Sequence, residues 1–194
     1  MFAKTFGCCR KVYNLMLSDK IESYKSTGKF VTVTPAKYKK DYPYLREVDS
    51  LALANKQMDL QEAFRNTFSK SRKKKNGFPK FKSAKHSRKS YTTNNQKGTV
   101  AIIDNKCIKL PKIGKVKAVI HRVPDDSWTI KSATVSQESD GKYYISVLFE
   151  FENTVNPYVA DKTNAIGLDY ASDGLYVDRS EEHTSELQSQ FRIS

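Results

Sequence analysis

"TIKSATVSQESDGKYYISVLFE", residues 129–150, reads as two strands around a tight turn. Asp140-Gly141 is the turn signal, because a two-residue hairpin loop needs positive φ and glycine supplies it without steric cost. On the closing side Tyr143, Ile145, Val147, Phe149 and Phe151 alternate with Tyr144, Ser146, Leu148 and Glu150. That period of two gives a strand one better-buried face. An antiparallel hairpin is expected, and it sets the class of the middle of the chain.

Upstream lie "TVAIID" (99–104), "CIKLPKI" (107–113) and "KVKAVIH" (115–121), short β-branched runs that extend the hairpin into a small antiparallel sheet or barrel. Further back the period changes. Phe6, Cys9, Tyr13, Met16, Leu17, Ile21 and Tyr24 recur at helical spacing, and Gly28 ends the run. Thr34 and Pro35 offer an N-cap and first position for a short second helix. A longer helix is expected from near Ser50, with Leu53, Leu60, Phe64 and Phe68 on one face, broken by Gln57, before Asn76-Gly77. Downstream, polar residues 152–164 lead to "AIGLDYASDGLYVD" (165–178), where a run from Ala165 to Leu168 delivers Asp169 at its end. "SDG" then turns the chain into a second strand. The class is α+β.

The 194 residues carry 34 Lys+Arg against 21 Asp+Glu, a net charge of +13. Such an excess repels itself unless a polyanion neutralises it, and nucleic acid is the first candidate partner. The charge is concentrated in "KSRKKKNGFPKFKSAKHSRKSY" (70–91), which has ten basic residues and no acid. Lys73, Lys74, Lys75, Lys80, Lys82, Lys85, Arg88 and Lys89 can each neutralise a phosphate. Phe78, Phe81 and Tyr91 are interleaved, as base-stacking rings are. A purely solvated linker is the alternative, and it has no need of aromatics. No apolar run is long enough to span a bilayer, and Lys4, Arg10 and Lys11 interrupt any signal peptide. A cytoplasmic, nucleoid-associated protein without a membrane partner is expected. Cys8, Cys9 and Cys107 form no C-x-x-C pair, so they read as idle thiols. His86, His121 and His183 have no placeable Ser or Cys partner, and there is no glycine-rich phosphate loop.

Asp169 is the chemical candidate. A carboxylate on a buried strand is costly unless it is hydrogen-bonded or holds a metal. Enzymes that cut phosphodiesters with two metal ions bring several carboxylates together, and Mg²⁺ prefers oxygen ligands. From the residues alone, an Asp that closes a strand and opens a turn is the favoured reading. Asp173 reads as turn chemistry and Asp178 as a strand end.

Taken in order, "FGCCRKVYNLML", "NGFPKFKS", "IKLPKIGKVKAVIHR" and "TIKSATVSQESDGKYYISVLFE" resemble the transposon-encoded TnpB (OrfB) family, transposase-associated RNA-guided DNA nucleases, over residues 5–179. The resemblance implies a helical recognition lobe (1–75), a basic segment (76–91), a wedge or OB-like β-barrel (92–158) and the first hairpin of a RuvC domain of ribonuclease-H type (159–178), ahead of a tail (179–194) that it does not cover. It implies guide RNA and target DNA as partners. "IGLDY" fits the family's opening nuclease strand, which makes Asp169 the counterpart of its first Mg²⁺-binding catalytic carboxylate. The family's remaining carboxylates and four-cysteine zinc knuckle follow later than this chain reaches, and an initial strand precedes its "FGC" segment. A fragment truncated at both ends is therefore expected, one that binds nucleic acid but does not itself cut DNA.

"RSEEHTSELQS" (179–189) is the in-frame translation of a common sequencing-library adapter, so the tail is expected to be artefactual. Two other classes fit the sequence as well. One is a non-catalytic RNA- or DNA-binding barrel protein. The other is an actin-like or sugar-kinase-like ATPase fragment, whose phosphate loop normally continues with small residues where this chain has Tyr170-Ala171-Ser172-Asp173.

Overall fold

Phe2–Thr27 form helix α1 in the computed structural model, which describes residues 1–68 and 77–152 and the backbone of two further strands. Phe6, Cys9, Val12, Tyr13, Met16 and Leu17 fall on one face and are buried, as i, i+3, i+4, i+7 spacing dictates. Met16 and Leu17 are fully buried, each contributing about 1.5–3 kcal/mol relative to exposure. Gly28, at φ 70°, donates its N–H to the Tyr24 carbonyl at 2.9 Å and ends the helix in a left-handed cap. The buried face stops short of Tyr24, whose ring stacks on Phe30 at 4.6 Å instead.

The expected second helix is a single 3-10 segment, Pro35–Lys39, in which Thr34 makes no side-chain cap bond. It is held to α1 by Tyr38, whose hydroxyl donates to Asp19 Oδ2 at 2.8 Å. A second 3-10 segment, Pro43–Arg46, buries Leu45 completely. Helix α2 spans Ser50–Phe68, and Asp49 caps its start. The Asp49 carboxylate accepts from the N–H groups of Leu51 and Ala52 at 3.2 and 3.1 Å, satisfying two donors that a helix start otherwise leaves unpaired. Ala52, Leu53, Lys56, Leu60 and Phe64 are its buried residues.

Six strands follow in the same unit, which runs Met1–Phe151. Strands β1 (Lys89–Asn94), β5 (Thr129–Gln137) and β6 (Tyr143–Glu150) form one antiparallel sheet in the order β1-β5-β6. Strands β2 (Ala101–Ile103), β3 (Cys107–Leu110) and β4 (Gly114–Lys117) form another, β2-β3-β4. The expected hairpin is present: β5 pairs with β6, Gly141 sits at φ 81°, and Ile145, Val147 and Phe149 are the less exposed residues of β6.

The expected closed barrel is not formed among the described residues. Closure needs strands of matched length hydrogen-bonded all the way round. Here β2 to β4 span only three or four residues each. The run expected at 115–121 leaves the ladder after Lys117, and no strand forms again before Thr129. Pro124 and a turn in which Asp125 accepts from the Ser127 N–H at 2.9 Å occupy the interval. The architecture is α+β with two small antiparallel sheets.

The helices and the β1-β5-β6 sheet share one core. Tyr91 of β1 and Ala133 and Val135 of β5 belong to the same buried cluster as α1 and α2, and Thr93 of β1 is a buried polar residue. Phe6 meets Tyr91 at 5.8 Å between ring centroids, and the Thr93 hydroxyl donates to the Asp49 carboxylate. Asn55 donates to the Thr92 carbonyl at 2.8 Å. The α2 start is thereby tied, through Asp49 and Thr93, to a strand that lies 44 residues further along the chain.

Burial also decides the thiols. Cys8 and Cys9 are 3% and 1% exposed, and burial pushes the Cys9 thiol up to about 12 and raises Cys8 as well. Both stay protonated, and so unreactive, at neutral and mildly alkaline pH. At pH 8, one thiol per native chain, the half-buried Cys107, is expected to react with a disulfide reagent promptly, and all three in denaturant. Rapid reaction of three thiols in the native protein would show that the α1 face is not buried.

In the second unit, which begins at Glu152, the backbone of β7 (Leu168–Ala171) pairs antiparallel with β8 (Gly174–Asp178). Asp169 lies opposite Val177 and is the second residue of β7, since the strand continues through Ala171 with a register shift between Asp169 and Ala171. The remainder of residues 153–194, including the 179–194 tail, lies outside the described residues.

Candidate nucleic-acid interface

The basic segment is held to both helices: Thr67 of α2 donates its hydroxyl to the Gly77 carbonyl at 3.1 Å, and Asn14 of α1 grips the backbone at Lys82. Asn14 on α1 donates its amide to the Lys82 carbonyl at 2.9 Å and accepts from the Lys82 N–H at 2.8 Å. This two-way bond satisfies both backbone groups of Lys82 and fixes the chain there as a strand partner would. The Lys82 ammonium then lies 4.0 Å from the centre of the Tyr13 ring, a cation–π contact. Burial holds its pKa below the usual lysine value, and the Lys56 ammonium nearby pushes the same way. Beyond it the His86 N–H donates to Ser83 Oγ at 3.0 Å, and the chain enters β1 at Lys89.

Of the residues marked out by sequence, Lys73, Lys74 and Lys75 lie outside the described residues. Lys80, Lys85, Arg88 and Lys89 are exposed, and Lys82 is half-buried. Arg88 approaches Glu138 at 3.5 Å, an exposed pair of little strength. Phe81 is 57% exposed and its ring is free for a base. Phe78 packs edge-on against Phe64 at 5.3 Å. Tyr91 is 2% exposed; its ring is core, packed on Phe6, and offers no face to a base.

Two cations that sequence reasoning passed over join this surface. Arg10 of α1 and Lys56 of α2 line a pocket of about 300 Å³ together with Lys82, Arg88 and Lys89, over Phe6 and Cys9. Asp59 is the one carboxylate in the lining, and it pairs with Lys56 at 2.6 Å. A signal was available: Lys56 stands between Leu53 and Leu60 on an otherwise apolar stripe, a costly place for an ammonium. A larger cleft, about 860 Å³, lies between the two sheets; its walls include Ile108, Val116, Trp128, Val147 and Phe149 and are mostly apolar.

Asp169 is placed by its backbone alone. Among the described residues no three His, Cys, Asp or Glu side chains come together as a metal site. One strand carboxylate is not the donor set of two-metal phosphodiester chemistry. Among the described residues no helix is long and apolar enough to cross a membrane.

Residues 1–29, which are α1 and its cap, match the family model HTH_OrfB_IS605, a helix-turn-helix domain. The chain is 29% identical over 175 residues to a Streptomyces pristinaespiralis protein named "Putative RNA-guided DNA endonuclease", an alignment covering 86% of this chain and 41% of that protein. The chain thus spans about two fifths of the length of the relative it matches. Both likenesses agree with the TnpB/OrfB resemblance carried by the sequence motifs.

Proposed function

We propose, with the TnpB/OrfB likeness as premise, that this chain is the N-terminal part of an RNA-guided DNA endonuclease and that it binds guide RNA and target DNA in the bacterial cytoplasm, at the nucleoid. The observation that carries the binding reading is the one-signed surface anchored at Asn14–Lys82. Lys80, Phe81, Lys82, Lys85, Arg88 and Lys89 project from a segment fixed to the helices rather than from a free linker, with Lys73, Lys74 and Lys75 immediately before it in sequence. Lysine and arginine supply phosphate contacts, and the exposed Phe81 ring supplies a stacking surface. In the complete protein Asp169 would be one Mg²⁺ ligand of the cleavage site, with the remaining ligands contributed by sequence that this chain does not contain. A family zinc knuckle would likewise lie outside it.

Affinity of the 194-residue chain for single-stranded RNA and DNA, followed by fluorescence anisotropy, is expected to fall linearly with the logarithm of salt concentration. Six engaged cations would give a slope of roughly −4 on a single strand. Affinity indifferent to ionic strength would remove the basis of the binding reading.

A further inference from the structure

The 300 Å³ pocket holds more positive charge than its own residues balance. Five cations line it, and its one carboxylate, Asp59, is engaged by Lys56. Arg10, Lys82 and Lys89 make no ion pair among the described residues. Lys56 is 8% exposed, on a helix face that otherwise buries Leu53 and Leu60. Burying an ammonium and drawing a second beside it is unfavourable on both counts, desolvation and like charge. The arrangement is nevertheless built in: the backbone of Lys82 is clamped by Asn14 from both sides, and its ammonium is lodged over Tyr13. Such a site is matched by an anion.

We propose that this pocket seats one phosphate of a single-stranded nucleic-acid backbone, with Arg10, Lys82 and Lys89 as its donors and the Lys56–Asp59 pair as its floor. The inference rests on the nucleic-acid reading above and narrows it from a charged surface to a seat. Arg10 brings a planar fork suited to two phosphate oxygens, and the lysines bring mobile point charges. A recess of this size admits a phosphate that a flexible strand turns inward. Phe81, next to Lys82 and 57% exposed, is placed to stack the neighbouring base.

The test uses the full chain, an end-labelled oligouridine and the matching oligothymidine, with anisotropy read across a salt series. Arg10→Ala with Lys89→Ala removes two donors, one half-buried and one exposed, neither of them part of the buried core cluster. Lys25→Ala with Lys29→Ala, exposed at the far end of α1, removes equal charge elsewhere. The pocket pair is expected to reduce the salt slope by about 0.7, the value for one lost single-strand phosphate contact, and the distal pair to leave it unchanged. Inorganic phosphate at constant ionic strength is expected to compete with the oligonucleotide on the wild-type chain and less so on the pocket variant. An effect on both oligonucleotides marks the phosphate itself as what is recognised; an effect on one assigns the seat to that backbone. If both variant pairs reduce the slope equally, charge is diffuse: the pocket fails while the nucleic-acid reading stands. If the wild-type chain binds neither oligonucleotide, that reading fails and the pocket with it.

Discussion

Asp169→Ala, made in a protein completed beyond residue 178, is expected to abolish DNA cleavage and to leave nucleic-acid binding unchanged. A metal ion stabilises the developing charge of phosphodiester cleavage by several kcal/mol, and each 1.36 kcal/mol is tenfold in rate. Removing an aspartate that holds the ion should therefore cost about 10³-fold or more. Binding should survive because the residues assigned to it, Lys80 to Lys89 with Arg10 and Lys56, lie in the first structural unit and Asp169 in the second. Gel-based cleavage and anisotropy on the same preparation separate the two effects. Retained cutting would exclude Asp169 as a metal ligand; joint loss of cutting and binding would show that it supports the fold instead.

Asp49→Ala is expected to destabilise the 194-residue chain by about 2–4 kcal/mol, the sum of a lost helix cap and a buried hydroxyl left without its acceptor. The Asp49 side chain accepts from Leu51, Ala52 and Thr93, and Thr93 is fully buried. The substitution thus loosens the α2 start and its tie to β1 together. Asp49→Asn keeps an acceptor and should cost less than half as much. Urea unfolding followed by circular dichroism and by tyrosine fluorescence should give one coincident transition with a lowered midpoint. Separate helical and β transitions, with only the first shifted, would show that the two parts do not share a core.

Helix α1, its glycine cap and the β5–β6 hairpin were legible because each carries an unmistakable period and a turn or cap residue with one physical use. Strand β1 was not read. "KSYTTN" buries only Tyr91 and Thr93, and the lysines before it drew the segment into the basic run. The reading of Tyr91 as a stacking ring came from that same context, whereas its neighbour across the fold is Phe6. The barrel was an over-extension: apolar runs at 107–113 and 115–121 suggested long strands, but the ladder ends at Leu110 and Lys117.

The pocket was legible only in part. Lys82, Arg88 and Lys89 stand in the basic run, whereas Arg10 and Lys56 come from two helices far away in sequence. Only the tertiary packing of α1 on α2 brings them together. The Asn14–Lys82 clamp is of the same kind, since neither residue has a local partner that would announce it.

The most direct measurement is a long sequencing read of the genomic locus across codon 178. The fragment reading expects the frame to run on past Asp178 into natural sequence that carries further acidic residues and paired cysteines, in place of "RSEEHTSELQS". A stop codon closely following Asp178 would contradict it, leaving a nucleic-acid-binding protein in which Asp169 has no partners with which to hold a metal.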